Sequence, residues 1–134
     1  MAAHLRLVND EVNFDTLKKF NLIYLASPYT LYAKGLSAAF EDVTALAGKL
    51  VNGGLNIIPA ITMGHPLSVY GGVSVNDLSI WYRLNDAVLR KCDCLLIARL
   101  PGHQSSKGVQ REIAYSEKVG MPVFFIHPDT LEVF

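Results

Sequence analysis

Four short apolar runs, separated by segments of helical periodicity, constrain this chain more than any other feature. They are Leu22–Ala26 (LIYLA), Leu55–Pro59 (LNIIP), Asp93–Ala98 (DCLLIA) and Val123–Ile126 (VFFI). A run this short, apolar at nearly every position, reads as a strand buried on both faces. Between the first two, Phe40, Val43, Leu46, Ala47, Leu50 and Val51 follow helical spacing. Ser37 is suited to cap that helix, which runs to about Asn52. Gly53-Gly54 stops it, with Gly53 suited to the left-handed position. Residues Ala60–Ser74, with Pro66, three glycines and His65, read as a long loop. A third periodic segment, about Asp77–Lys91, is capped by Ser74 or Asn76. A fourth starts at Ser105 or Ser106 and ends at Gly120. Phe14–Phe20 reads as one short helix capped by Asn13, and Leu131–Phe134 as a last short strand. The tail Met1–Glu11 is only weakly periodic. Strand and helix alternating in this way predict an α/β fold with a parallel sheet covered on both faces.

A length of 134 residues fits one domain, and no linker, repeat or low-complexity tract divides it. The domain spans 1–134, with residues 1–20 as an N-terminal extension. Twelve Lys+Arg balance twelve Asp+Glu. Without clustered positive charge the chain is a poor candidate for binding a nucleic-acid polymer or a membrane surface. Charged residues make up 18% of the chain, against about 25% in ordinary soluble domains. A small domain has proportionally more surface to cover, so the deficit predicts surface buried in a homodimer or higher homo-oligomer. Cys92 and Cys94 cannot form a disulfide framework and read as small buried hydrophobes. On a strand they would share a face, although Cys92 could still lie on the preceding helix. No Cys/His set has zinc spacing, so no metal is expected. There is no apolar run of about 18 residues and no basic-then-apolar leader, which predicts a cytoplasmic protein.

In open parallel sheets, ligands sit beyond the carboxyl ends of the strands, where the strand order switches. That rule points to Ser27–Gly35, Pro59–Ser74 and Leu100–Glu112. The last is the most informative. Ser106 at a helix start, with Gly108 two residues on, can expose backbone N–H groups to an anion. Glu112 lies on one helix face with Gly108 and Val109, near the sheet's carboxyl edge. His65, in Gly64-His65-Pro66, could touch a ligand or shuttle a proton. Trp81, Tyr82 and Tyr115 read as core or subunit interface.

Tyr24-Leu25-Ala26-Ser27-Pro28-Tyr29, then Trp81 and Asp86, Cys92-Asp93 and an apolar strand, Pro101-Gly102, and finally Ser106-x-Gly108-Val109-x-x-Glu112 occur in order. In this the chain resembles the nucleoside 2-deoxyribosyltransferase-like superfamily over roughly Leu22 to Val123. It is most similar to a small bacterial and phage branch related to 2'-deoxynucleoside 5'-phosphate N-hydrolases. Together with the element order, the resemblance implies a single-domain Rossmann-like or flavodoxin-like three-layer sandwich whose parallel sheet has four to five strands.

The resemblance also implies a chemistry. Glu112 would attack the anomeric carbon of a (deoxy)ribosyl group and displace the nucleobase, through an oxocarbenium-like transition state, as in retaining glycosidases. The acid partner matches Asp86, with Asn85 one residue away as the other match. Tyr29 would orient the nucleophile or stack on the base. Ser27, Pro28, His65, Gly102, Ser106 and Gly108 would line the substrate site, with Ser106 on a 5'-phosphate. The hydrolases carry a phosphate-binding Arg in the first loop. This chain has no Arg from Asn21 to Ile80, and Lys34 is the cation close by. His103 stands where that branch usually has Trp. The resemblance implies no cofactor. The expected activity is an N-glycosidase or deoxyribosyltransferase acting on a nucleoside or nucleoside 5'-monophosphate. The alternative is a non-catalytic nucleotide-binding sensor or sponge using the same pocket.

Overall fold

The computed structural model describes residues 12–134, so the weakly periodic tail lies outside the described residues. Four strands, β1 (Ile23–Ala26), β2 (Ile57–Pro59), β3 (Cys94–Ala98) and β4 (Val123–Ile126), form one sheet in the order β2-β1-β3-β4. Every neighbouring pair is parallel. Tyr24 sits opposite Ile58 on one side and Leu95 on the other, and Leu96 opposite Phe124. The chain is thus an α/β, Rossmann-like three-layer fold. Leu131–Phe134 contributes a single antiparallel bridge, Ile126 to Val133, rather than a full strand.

Alternation along the strands divides the core. Ile23, Leu25, Cys94 and Leu96 face α1 (Leu36–Asn52), which buries Ala39, Val43, Leu46, Ala47 and Leu50 against them. Leu17, from a 3-10 turn over Phe14–Lys19, joins this side. Tyr24, Ala26, Leu95 and Ile97 face the other way. They pack with Leu89 of α3 (Leu78–Leu89) and Val109 of α4 (Lys107–Val119). Cys94 and Cys92 belong to opposite layers. Cys92 precedes the strand, with its thiol directed to the Val88 carbonyl at the end of α3.

Four local expectations are corrected. Residues Ala60–Val69 form a helix, α2, where a loop was expected. Gly64 in it lies against the Trp81 ring, where an added Cβ would stand 3.2 Å from the indole, so this glycine serves packing rather than a turn. The turn comes later, at Gly71-Gly72, with Gly72 at φ +75°. Ser37 does not cap α1. A turn from Tyr32 to Gly35, closed by a 2.9 Å backbone bond, feeds Gly35 at φ +97° straight into the helix, leaving Ser37 in the first turn. At the other end the left-handed residue is Gly54, φ +100°, while Gly53 is ordinary at φ −80°. Gly53 is small for another reason: a Cβ there would meet the Phe14 ring at 2.8 Å. The cap of α3 is Asp77, without a side-chain cap bond, rather than Ser74 or Asn76. For α4 the expectation holds. Ser106 Oγ accepts from the Val109 N–H, and Gly120 ends the helix in the left-handed region.

Candidate active site

Strand β1 sends its chain toward β2 on one side, and β3 sends its chain toward β4 on the other. The loops after β1 and β3 therefore part, and a cavity opens between them at the carboxyl edge of the sheet. It measures about 330 Å³, within the range of small-molecule sites. The β1 loop, α2, α3 and the start of α4 wall it.

Glu112 lies in this wall, half-buried. The Tyr24 hydroxyl, rising from the buried middle of β1, donates to Glu112 Oε2 at 2.5 Å. Burial pushes the Glu112 carboxyl up to about 7. The Tyr24 bond opposes that shift, the Asp86 charge adds to it and the Arg111 charge subtracts from it. Burial, then the Glu112 charge, raises the Tyr24 phenol far above its ordinary value, so it stays a donor.

Asp86 and Asn85 both line the cavity from α3. Asp86 is ion-paired with Arg111, whose guanidinium lies 4.1 Å from the centroid of the Tyr82 ring. Tyr29, half-buried after β1, meets His65 of α2 through a 2.6 Å contact between its hydroxyl and Nδ1. Burial raises the Tyr29 phenol. Beside it, Ser27 is 93% buried by its 7% exposure, and its Oγ has no partner among the described residues. Pro28, Gly102 at φ +89°, Ser106 and Gly108 complete this part of the lining.

Nine of the ten residues singled out from the sequence therefore meet around one cavity: Ser27, Pro28, Tyr29, His65, Asp86, Gly102, Ser106, Gly108 and Glu112. Lys34 does not. It is exposed in the turn before α1, outside the lining, because the Tyr32–Gly35 turn carries it away from the sheet edge. The cations in the lining are Lys107 and Arg111, both from α4. Trp81 and Tyr82, read as core or interface, line the cavity, while Tyr115 packs on the core as expected. His103 stands outside the lining, with Nδ1 3.1 Å from the Leu100 carbonyl.

Sequence reasoning missed Tyr24 and Arg111. Tyr24 looked like one more apolar residue of a buried run. Its signal was the hydroxyl, since a phenol in a strand buried on both faces needs a partner. Among the described residues, no group of three or more His, Cys, Asp or Glu side chains is placed to hold a metal ion. Nor is any helix among them long and apolar enough to cross a membrane.

A family model described as a domain of unknown function, DUF1937, matches residues 21–127. The chain belongs to the DUF1937 family. The match begins just before β1 and ends just after β4, so the family's common part carries the whole sheet and every wall of the cavity. No curated protein matches the chain.

Proposed function

We propose that this DUF1937 protein cleaves the N-glycosidic bond of a nucleoside or nucleoside 5'-monophosphate, by hydrolysis or by transfer to a second base. The observation that carries this reading is Glu112, held by the Tyr24 hydroxyl in the wall of a cavity of about 330 Å³. Ionised Glu112 attacks the anomeric carbon as the bond to the base breaks. A glycosyl ester forms, and water or another base resolves it. The Tyr24 bond steadies the ionised form that the attack requires. The first turn of α4, with Ser106, Lys107 and Gly108, offers N–H groups and a cation to an anionic substrate group. Arg111 on the same helix face supplies the guanidinium that the first loop lacks. The resemblance gives the acid role to Asp86.

The test is release of free base from a panel of nucleosides and their 5'-monophosphates, followed by chromatography. Wild type releases base from at least one, and Glu112→Ala from none while keeping its circular dichroism spectrum. Undiminished release by that variant refutes the mechanism.

One observation favours a second reading. A carboxyl pushed up to about 7 is partly neutral at physiological pH and so is a weakened nucleophile. A sensor or sponge would hold the same ligand uncleaved, and thermal stabilisation by a nucleotide without base release is its signature. In either reading we take the protein to be cytoplasmic, in keeping with two free, buried thiols. We also take it to be a homo-oligomer. The low charge fraction supports this, as does α2, which has no Asp, Glu, Lys or Arg and buries none of its ten residues.

A further inference from the structure

The cavity contains a fixed imidazole to which the glycosidic reading gives no definite task. His65 is bonded through Nδ1 to the Tyr29 hydroxyl, and its ring stacks on Phe40 with centroids 4.6 Å apart and planes 22° from parallel. Tyr29 comes from the loop after β1 and Phe40 from α1, so two other elements set the ring's position and its plane. α2 is itself tied to α1 by a 2.7 Å contact between the Thr62 and Thr44 hydroxyls. Proton transfer needs such placement, because donor and acceptor must come within hydrogen-bond reach. With Nδ1 taken, Nε2 has no hydrogen-bond partner among the described residues, and His65 shares the cavity wall with Glu112. Asp86 is differently placed. Its carboxylate engages Arg111, which in turn rests on Tyr82, and it would have to leave that pair before delivering a proton.

Building on the glycosidic reading above, we propose that His65, not Asp86, is the catalytic residue that protonates the departing nucleobase, and that Tyr29 is its positioning residue. As the Glu112 carboxylate forms its bond to the anomeric carbon, the electron pair of the breaking C–N bond passes to the base nitrogen. That nitrogen takes the proton from Nε2 of the imidazolium. The neutral imidazole then accepts a proton from the attacking water, or from the N–H of an incoming base, as the ester is opened. This regenerates both the imidazolium and the Glu112 carboxylate. Asp86 then serves to hold Arg111 over Tyr82.

Two substrates with the same sugar test the assignment. One is the nucleoside monophosphate that wild type cleaves best. The other is the 4-nitrophenyl glycoside of the same sugar phosphate, whose leaving group departs as a stable anion and needs no proton. His65→Gln lowers base release by about 100-fold or more, the scale of lost general acid catalysis. It changes 4-nitrophenol release by less than about threefold. Tyr29→Phe, which removes only the hydroxyl, shows the same selectivity at about tenfold and guards against a folding defect in the first variant. Equal losses on both substrates would mean a structural role and overturn the proposal, as would no loss on either. So would the selective loss appearing in Asp86→Asn instead of His65→Gln. Wild type that cleaves neither substrate refutes the glycosidic reading itself, and the proposal with it. Glu112→Ala, inactive on both, separates loss of the nucleophile from loss of the acid.

Discussion

Replacing Glu112 by Gln should stabilise the folded protein at neutral and alkaline pH and do little in acid. In the folded chain burial raises this carboxyl from 4.5 to about 7. Between those two values the folded state binds a proton that the unfolded state has released. The slope of stability with pH follows the difference in bound protons, unfolded minus folded, so stability falls as pH rises through that window. Below about 4.5 the group is neutral in both states, and above about 7 the full loss is present. Each pKa unit is worth about 1.4 kcal/mol, which sets the loss at about 3 kcal/mol. Gln keeps the size of the side chain and an oxygen to accept from Tyr24, but it carries no charge at any pH.

The measurement is urea denaturation of wild type and Glu112→Gln at several pH values from 4.5 to 8. Subtracting the two curves cancels the titration of all other groups. The variant's advantage should grow by about 2–3 kcal/mol across the range and level off above neutrality. A difference that stays flat, or that turns in favour of wild type as pH rises, would refute the claim that Glu112 is ionised at a cost. It would then be an ordinary surface carboxylate. A cost of this kind is characteristic of groups retained for function rather than for stability.

Tyr24→Phe removes the bond that opposes the rise of the Glu112 pKa, so the acid limb of the base-release profile should move about one pH unit to the alkaline side. An unmoved limb would detach Tyr24 from the proposed role of Glu112. Arg111→Met removes a charge that lowers the same carboxyl and should shift that limb in the same direction. Because its ion pair with Asp86 is partly exposed, stability by urea denaturation should change by no more than about 1 kcal/mol. Gly53→Ala should cost about 1–3 kcal/mol by forcing a Cβ into the Phe14 ring, and Phe14→Leu in the same chain should recover much of that loss. Failure of the second change to rescue the first would place the strain elsewhere.

The fold was legible where one local rule acted without competition. The runs LIYLA, DCLLIA and VFFI became strands because a short apolar run has few other ways to be buried. Ser106 and Gly120 bounded α4 because each satisfies backbone groups at its own end of the helix. Local rules failed where distant residues decided the outcome. Gly64 and Pro66 argue against a helix, yet Ala60–Val69 is one, since Gly64 gives the Trp81 ring room to approach. Gly53 and Gly54 are indistinguishable to a rule that looks only along the chain. Only the Phe14 ring, 39 residues away, separates the one kept for space from the one kept for its backbone angle.

The site divides along the same line. Motif order placed nine residues around the cavity because the loops that carry them follow strand ends, and strand order alone brings those ends together. Lys34 failed because closeness in sequence to the first loop says nothing about which way a turn aims a side chain. Arg111 was overlooked for the opposite reason. It stands next to Glu112, yet its part depends on Asp86 and Tyr82, a helix and a strand away. The ion pair bears directly on mechanism. An acid already engaged by a guanidinium and an imidazole whose second nitrogen is unengaged are not equal candidates for moving a proton. The choice between Asp86 and His65 therefore rests on pairings that only the folded chain brings about.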